Sequence, residues 1–370
     1  MKNNTHYFNL VLSSILFFFT FFTFANTEHN SGHTISVDQV KGEIDTPEEI
    51  NKYIEHHLQD AHDFVLYTDG KTGEHYGFSL PVILIDNGLH VFSSKWFHHG
   101  ESVAEDNGNY YKLFHGRIIK TNKSGFVRED HHGHALNYKP IDLSITKSVL
   151  GILLTGLIMV LIFTFLAKGY KKSAIPTGLG RVLEPLVIYV RDEIARPNIG
   201  EKKYKRFIGF LLTVFFFIWI VNLLGLTPLG FNVTGNIAVT CSLALFTFFI
   251  VQFNSNKEYW KHIFWMPGIP PLMKVVLAPI EVLGMFTKPF SLMIRLFANI
   301  TAGHFVMMSL IALMIVLKHQ FGPVASTGIS FALSLFIMLI ELLVAFLQAF
   351  IFTMLSSLFI GMAVADHDHH

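Results

Sequence analysis

The chain divides by the spacing of its apolar positions. Residues 8–24 form an apolar run behind Lys2, and polar sequence begins after Ala25. Residues 1–25 therefore read as a secretory signal peptide, with an uncleaved first transmembrane helix as the other reading. Residues 26–140 carry shorter patterns. "DTPEEINKYIEHHLQDAHD" opens a helix with a capping box, Thr46 to Glu49, and Pro47 at the first helical position. "FVLYTD", "YGFSLPVILID", "GLHVFSSKWF" and "YYKLFHGRIIK" follow as strand-like pieces separated by Asp, Gly and Asn turns. A small α+β domain is predicted there, exported under either reading of the leader.

From Ile145 the apolar runs lengthen. Spans are expected at about 146–168, 207–228, 235–253, 272–318 and 327–365. Between the first two, residues 179–196 place Val182, Leu186, Val187, Val190 and Ile194 near one face, the pattern of a helix lying along a membrane surface. The last two runs exceed one perpendicular crossing: some 40 helical residues reach ~60 Å against a hydrocarbon core of ~30 Å, so they tilt or break. The expected fold class is an all-α polytopic membrane protein with a long tilted C-terminal helical hairpin and a small exported α+β domain. Residues 1–25, 26–140 and 141–370 are its leader, histidine-rich domain and membrane domain.

Composition agrees with the pattern. Only 15% of residues are charged, against about 25% in soluble proteins. From Pro271 to Ala365 the charged residues are Lys274, Glu281, Lys288, Arg295, Lys318 and Glu341. Basic residues at 168–172, 202–206, 257 and 261 mark the cytoplasmic loops, which leaves the N-terminal domain outside and the C-terminus inside. No basic stripe with interleaved aromatics points to nucleic acid. Cys241 is the single cysteine, so no intrachain disulfide or cysteine metal site forms, and it reads as a small packing residue. Thirteen of the 20 histidines fall in residues 26–140. They read as solvated side chains rather than metal ligands, because no cysteine or ordered carboxylate pattern accompanies them.

The candidate chemistry lies in the last hairpin. A charge at a helix centre costs about 2.5–3.5 kcal/mol on insertion scales, yet "FSLMIRLFANITAGHF" carries Arg295 with no acid nearby. Residues at one level of an antiparallel hairpin have position numbers of constant sum. Arg295 with Gln348 gives 643 and His304 with Glu341 gives 645, so two polar layers are in register. Asn299 shares a face with Arg295, while His304, nine residues on, points the opposite way. Glu281, Lys288 and Arg295, seven apart, form a stripe toward the cytoplasmic end. Ordinary readings stand beside these: Asn299 and Gln348 as interhelical hydrogen-bonding glue, Glu281 paired with Lys288, Lys274 snorkelling to the interface, and His304 with Glu341 as a static pair. Arg295 has no such reading within its own chain, and its counter-charge is expected on another subunit.

These residues resemble subunit a of the F-type ATP synthase membrane sector. The motif is Arg295-Leu-Phe-Ala-Asn299 followed by Ala302-Gly303, with "LQAFIF" at 347–352 and "WIVNLLGLTP" at 219–228, and the resemblance covers about residues 140–365. It implies that Arg295 is the stator arginine facing a rotating ring of c subunits, with Gln348 and Asn299 beside it. Glu281 matches an acid of the cytoplasmic half-channel. His304 and Glu341 stand where the family has Glu and His, so the pair is exchanged. Asn222 matches the family at the asparagine–leucine turn, whereas Gly225 replaces an acid often found there. The implied route from outside runs by Asn222, Asn236, His304 and Glu341. The implied partners are the c-ring, b-type peripheral stalk subunits, the catalytic head through the complex, and membrane lipid. No cofactor or metal is implied, the subunit is non-catalytic, and its place is a bacterial inner membrane. A channel or secondary-transporter subunit with an intramembrane arginine is the alternative, but it predicts internal repeats, and residues 145–253 and 272–365 show none. A membrane-anchored binding or sensory protein explains neither Arg295 nor the second polar layer.

Overall fold

The computed structural model describes residues 60–68, 75–100, 102–130, 135–172, 178, 180–227, 231–266 and 269–365. At some of these positions, including His304 and 314–321, it describes backbone only. The leader, the Thr46–Glu49 capping box, the His56–His57 and 131–134 histidines and the last five residues lie outside the described residues.

The N-terminal domain consists of short antiparallel strands. β1 (Asp63–Thr68) pairs with β2 (His75–Ser79). β3 (Pro81–Ile85) lies between β4 (Leu89–Ser93) and β8 (Ile141–Asp142). β6 (Asn109–Phe114) lies between β5 (Val103–Asp106) and β7 (Arg117–Thr121). Alternation builds the core: Val82 and Leu84 of β3 are fully buried with Phe92, Phe97 and Tyr111, while Ile85 faces outward. Asn107-Gly108 and His115-Gly116 make the two-residue hairpins around β6, all four with positive φ, as the turn that matches strand twist requires. Asp86 is buried under this core, where it accepts from the Tyr111 hydroxyl at 3.0 Å and pairs with Lys120 Nζ at 2.6 Å. The Lys120 contact holds the Asp86 carboxyl below the usual range.

The join to the membrane domain is a buried polar cluster. The first membrane helix, α1 (Lys147–Lys172), begins without an acidic residue in its first turn. Asp60, far away in sequence, supplies the cap: Ser148 N donates to Oδ1 at 3.0 Å and the Thr146 hydroxyl to Oδ2 at 2.9 Å. A carboxylate there satisfies an orphan N–H and lies at the positive end of the helix dipole. Beside it, His62 Nε2 is 3.1 Å from Asp142 Oδ2, and Ser144 N donates to Asp142 Oδ1 at 2.8 Å.

Burial pushes the His62 imidazole down, but the Asp142 carboxylate, aided by Asp60 and Asp63, outweighs it and leaves the pKa above 6.5. Burial raises Asp142, and His62 overrides it to a net lowering below 3.8. Burial of Asp60 is only partly offset by its hydrogen bonds, so its pKa is raised. The folded His62 holds its proton more tightly than the unfolded one. Its contribution is complete below the unfolded value of 6.5 and is lost as pH rises through the raised folded value. Asp142 contributes above 3.8 and loses that contribution as pH falls through its lowered value, while Asp60 costs stability as it ionises. Asp60 and Asp142 therefore act in opposite senses above 3.8, and through His62 the join is expected to loosen as pH rises past 6.5. Hydrogen exchange of the Leu143, Ile145 and Ser148 amides, corrected for intrinsic rates, should show this, and His62→Gln should flatten the trend. Protection independent of pH in the unaltered protein would refute it.

The membrane domain is helical. After α1 come α2 (Gly180–Tyr189), a π-helical turn (Val190–Ala195) and α3 (Arg196–Ile199). Where a single amphipathic helix over 179–196 was expected, the structure has a widened turn, with Arg196 N bonding Arg191 O five residues back. Pro197 accounts for this: it lacks an N–H, and its ring crowds the carbonyl four residues earlier. Val190, Ile194 and Ala195 are fully buried against the rest of the domain. α4 (Tyr204–Gly225) and α5 (Ile237–Phe253) follow, then a bend of 103° into α6 (Lys257–Phe264). α7 (Pro271–Val364) doubles back at Gly322, whose φ of 78° and ψ of 164° break the helix. Its two arms and α1 and α4 are each long and apolar enough to cross a membrane, and α5 with α6 makes a fifth candidate. The mostly helical, polytopic class with a small β-rich N-terminal region matches the expectation.

Candidate functional site

The arms of α7 meet along the face that Leu292 and Leu296 bury, in one cluster with Ala349 and Phe352. Phe346 packs edge-on to Phe215 and Trp219 of α4, with ring centres 5.8 and 6.0 Å away. This aromatic layer fixes the second arm beneath the polar residues. Arg295 is half-buried at the border of that core face. It makes no hydrogen bond or ion pair with any described residue. On its open side Ser291, Ala298 and Ala302 are exposed and small.

Asn299 and Gln348 are brought together: Asn299 Nδ2 donates to Gln348 Oε1 at 2.6 Å. Gln348 is 1% exposed, and its own Nε2 has no partner among the described residues. Glu341 enters the second layer. A Cβ added at Gly303 would stand 2.7 Å from Glu341 Oε1, so any other residue there would make the carboxylate shift, and Glu341 Oε2 is buried without a described partner. The His304 side chain lies outside the described residues. Gln348 thus bonds Asn299 and makes no described hydrogen bond with Arg295, and at the expected His304–Glu341 level only the Glu341 side chain is described.

Glu281 and Lys288 are both half-buried and are not in direct ion-pair contact; Lys288 Nζ lies 5.5 Å from the centre of the Phe359 ring. Lys288 instead lines a cavity of about 20 Å³ with Gln252, Tyr259, Thr247 and Met285, space for roughly one water. Gln252 hydrogen-bonds the Tyr259 hydroxyl and keeps a buried Oε1 without a described partner. The sequence does not single out these two residues. Neutral polar side chains are common in spans, and only their burial and convergence mark them.

At the other end, Asn222 is 3% exposed and accepts from the Thr234 hydroxyl at 2.8 Å, while its Nδ2 has no described partner. Thr234 is a second residue the sequence reading passes over. Asn236 has a structural use: it is the N-cap of α5, accepting from Ala238 N at 3.0 Å. An arginine with no partner among the described residues, the Asn299–Gln348 pair, the buried Glu341 and two separate polar clusters along one set of apolar helices suit the passage of charge.

The profile of the family described as ATP synthase A chain matches residues 149–361. The chain belongs to the ATP synthase subunit a family. "ATP synthase subunit a" of Chloroherpeton thalassium is 43% identical over 79% of this chain and 89% of its own. "ATP synthase subunit a 2" of Prosthecochloris aestuarii is 44% identical over 82% and 97%. Both alignments cover more of the chain than the matched membrane region and so extend into the N-terminal domain. Residues 53–143 match a family described only as a domain of unknown function (DUF8433). As a subunit a, the chain is a multi-pass membrane protein and a proton-translocating stator component of ATP synthase, working in a complex with the other subunits.

Proposed function

We propose that this subunit a provides two offset half-channels that carry protons to and from carboxylates on a ring of c subunits, so that proton flow drives rotation. The N-terminal domain lies on the outer side of a bacterial inner membrane and the C-terminus inside. A b-type peripheral stalk holds the subunit against the catalytic head.

The outer route passes Asn222 and reaches the layer of His304 and Glu341. An imidazole there is suited to relay because its unperturbed pKa lies near 6.5. A neutralised ring carboxylate enters lipid cheaply, travels nearly a full turn, and meets the inner route at Glu281, with the Lys288, Gln252 and Tyr259 cavity beside it. The Arg295 guanidinium keeps each returning carboxylate ionised and separates the two routes. A membrane potential supplies ~2.3 kcal/mol per charge per 100 mV. Asn299 and Gln348, bonded to each other, hold the backbone beside Arg295 rather than competing for its charge.

One observation carries this reading: Arg295 has no described acid and borders an open strip of Ser291, Ala298 and Ala302. Small residues let a neighbouring helix approach closely. In a Cys241→Ser background, Ala298→Cys or Ala302→Cys should form a disulfide with a cysteine placed beside the ring carboxylate. The disulfide should stop ATP-driven pumping until it is reduced, whereas Leu296→Cys, on the buried face, should not cross-link. Failure of both strip positions to cross-link in the assembled complex would reject the ring-facing assignment.

A further inference from the structure

The N-terminal domain is seated on the loop between α4 and α5. Phe64, 2% exposed, has its ring centre 5.2 Å from that of Phe231 and is stacked on Phe78 at 4.8 Å. Phe64 and Leu80 share one buried cluster with Val221, Phe231, Val233 and Val239. Those membrane-domain residues surround the Asn222–Thr234 hydrogen bond: Val221 precedes Asn222, and Val233 precedes Thr234. From the other side α1 closes on the same loop. A Cβ at Gly151 would meet Val233 at 2.6 Å and Phe231 at 3.0 Å. Phe64 itself is anchored to α1, since Lys147 N donates to Ala61 O at 2.9 Å, Asp60 caps the helix, and Lys147 Nζ lies 5.7 Å from the centre of the Phe64 ring.

The loop that presents Thr234 to Asn222 is thus wedged between a membrane helix and an aromatic side chain of the N-terminal domain. Asn222 has one described side-chain partner and one buried, open N–H. A buried amide of this kind is where an ordered water is held. Its orientation depends on Thr234, and that of Thr234 depends on the packing of Phe231.

We propose that Phe64 is a positioning residue for proton uptake: by holding Phe231 it fixes Thr234 against Asn222, and the N-terminal domain thereby forms one wall of the outer half-channel. The proposal rests on the reading that Asn222 lines that route. Phe64 touches no proton itself and acts through the loop. The domain is accordingly a working part of the proton path and not only an appendage for assembly.

The test uses the complete complex in vesicles and follows proton-driven ATP synthesis as the pH on the N-terminal-domain side is varied with the opposite side held constant. Phe64→Ala should move the midpoint of that profile by about half a unit, through a change in the relative stability of the two protonation states of the route. The profile for the opposite side should not move. Phe64→Leu, which keeps the bulk, should restore most of the original midpoint. Phe231→Ala should give the same shift, and the double variant should shift no further than either single one. If the alanine variants do not assemble, Phe64→Leu and Phe231→Leu carry the same cycle with smaller shifts. Rates lowered equally at every pH, with no change in midpoint, would mean a purely structural role and overturn the proposal. Asn222→Ala in the same assay separates the two levels. If it shifts the profile and Phe64→Ala does not, the positioning role alone fails; if neither does, the assignment of Asn222 to the route fails with it.

Discussion

Replacing Arg295 with alanine is expected to abolish ATP-driven proton pumping while leaving the amount of assembled complex close to that of the unaltered protein. The two halves of this expectation have different origins. Assembly should survive because Arg295 makes no hydrogen bond or ion pair with a described residue, while its neighbours Leu292 and Leu296 supply the buried contacts of that turn. Pumping should fail because a mid-span charge costs about 2.5–3.5 kcal/mol to insert, a cost that persists only where a partner recovers it. If, as proposed, Arg295 stabilises an ionised ring carboxylate, loss of stabilisation of that size corresponds to roughly 100-fold in rate. Arg295→Lys keeps a charge but loses the planar fork and some reach, so recovery of less than about one-tenth of the rate is expected. The measurement is quenching of a pH-sensitive dye by inverted vesicles after ATP addition, normalised to subunit content. Pumping at the original rate in Arg295→Ala would make the arginine structural and remove the basis of the half-channel mechanism.

Much of the architecture was legible because it depends on short-range rules. Apolar runs of membrane length and Asn-Gly turns are local, and the level at which the arms of α7 meet follows from equal helical rise on both sides of a sharp turn. The contacts made, Asn299 with Gln348 and Gly303 with Glu341, have position sums of 647 and 644, near but not equal to the expected 643 and 645. Features that depend on distant partners were not legible. Asp60 caps α1 across 88 residues, and nothing in the sequence near either group signals it. The π-turn at Val190–Ala195 starts from Pro197, a visible residue, but whether a proline kinks, ends or widens a helix is settled by what packs on it. Asn236 reads as a candidate polar group in a span and is also a helix cap, the commoner use of asparagine at a helix start. Gln252, Tyr259 and Thr234 carry no charge to attract attention. Their burial around a cavity or an open amide is a property of the fold alone.

The same dependence on distant contacts gives the second large effect. Gly361→Ala is expected to deplete the subunit from membranes several-fold, although the change is one methyl group in a helix. A Cβ at position 361 would stand 1.9 Å from the backbone oxygen of Asn198 and 2.8 Å from its carbonyl carbon. Backbone cannot yield by changing rotamer, and Asn198 is held in place: its Nδ2 donates to Ile194 O at 2.8 Å and to Ser357 Oγ at 2.9 Å. The last turn of α7 is fixed as well, by Lys203 Nζ on Val364 O at 2.5 Å and Asn256 Nδ2 on the same oxygen at 3.0 Å. Neither side can move without breaking these part-buried hydrogen bonds, so the cost should lie at the upper end of the ~1–3 kcal/mol typical of overpacking. Gly209→Ala is the control, because a Cβ there meets nothing within 4 Å and alanine favours the helix by roughly 0.5–1 kcal/mol. Subunit content of washed membranes should therefore fall for Gly361→Ala and stay level or rise for Gly209→Ala. Equal content for the two variants would mean that the C-terminal end of α7 and α3 are not packed as described.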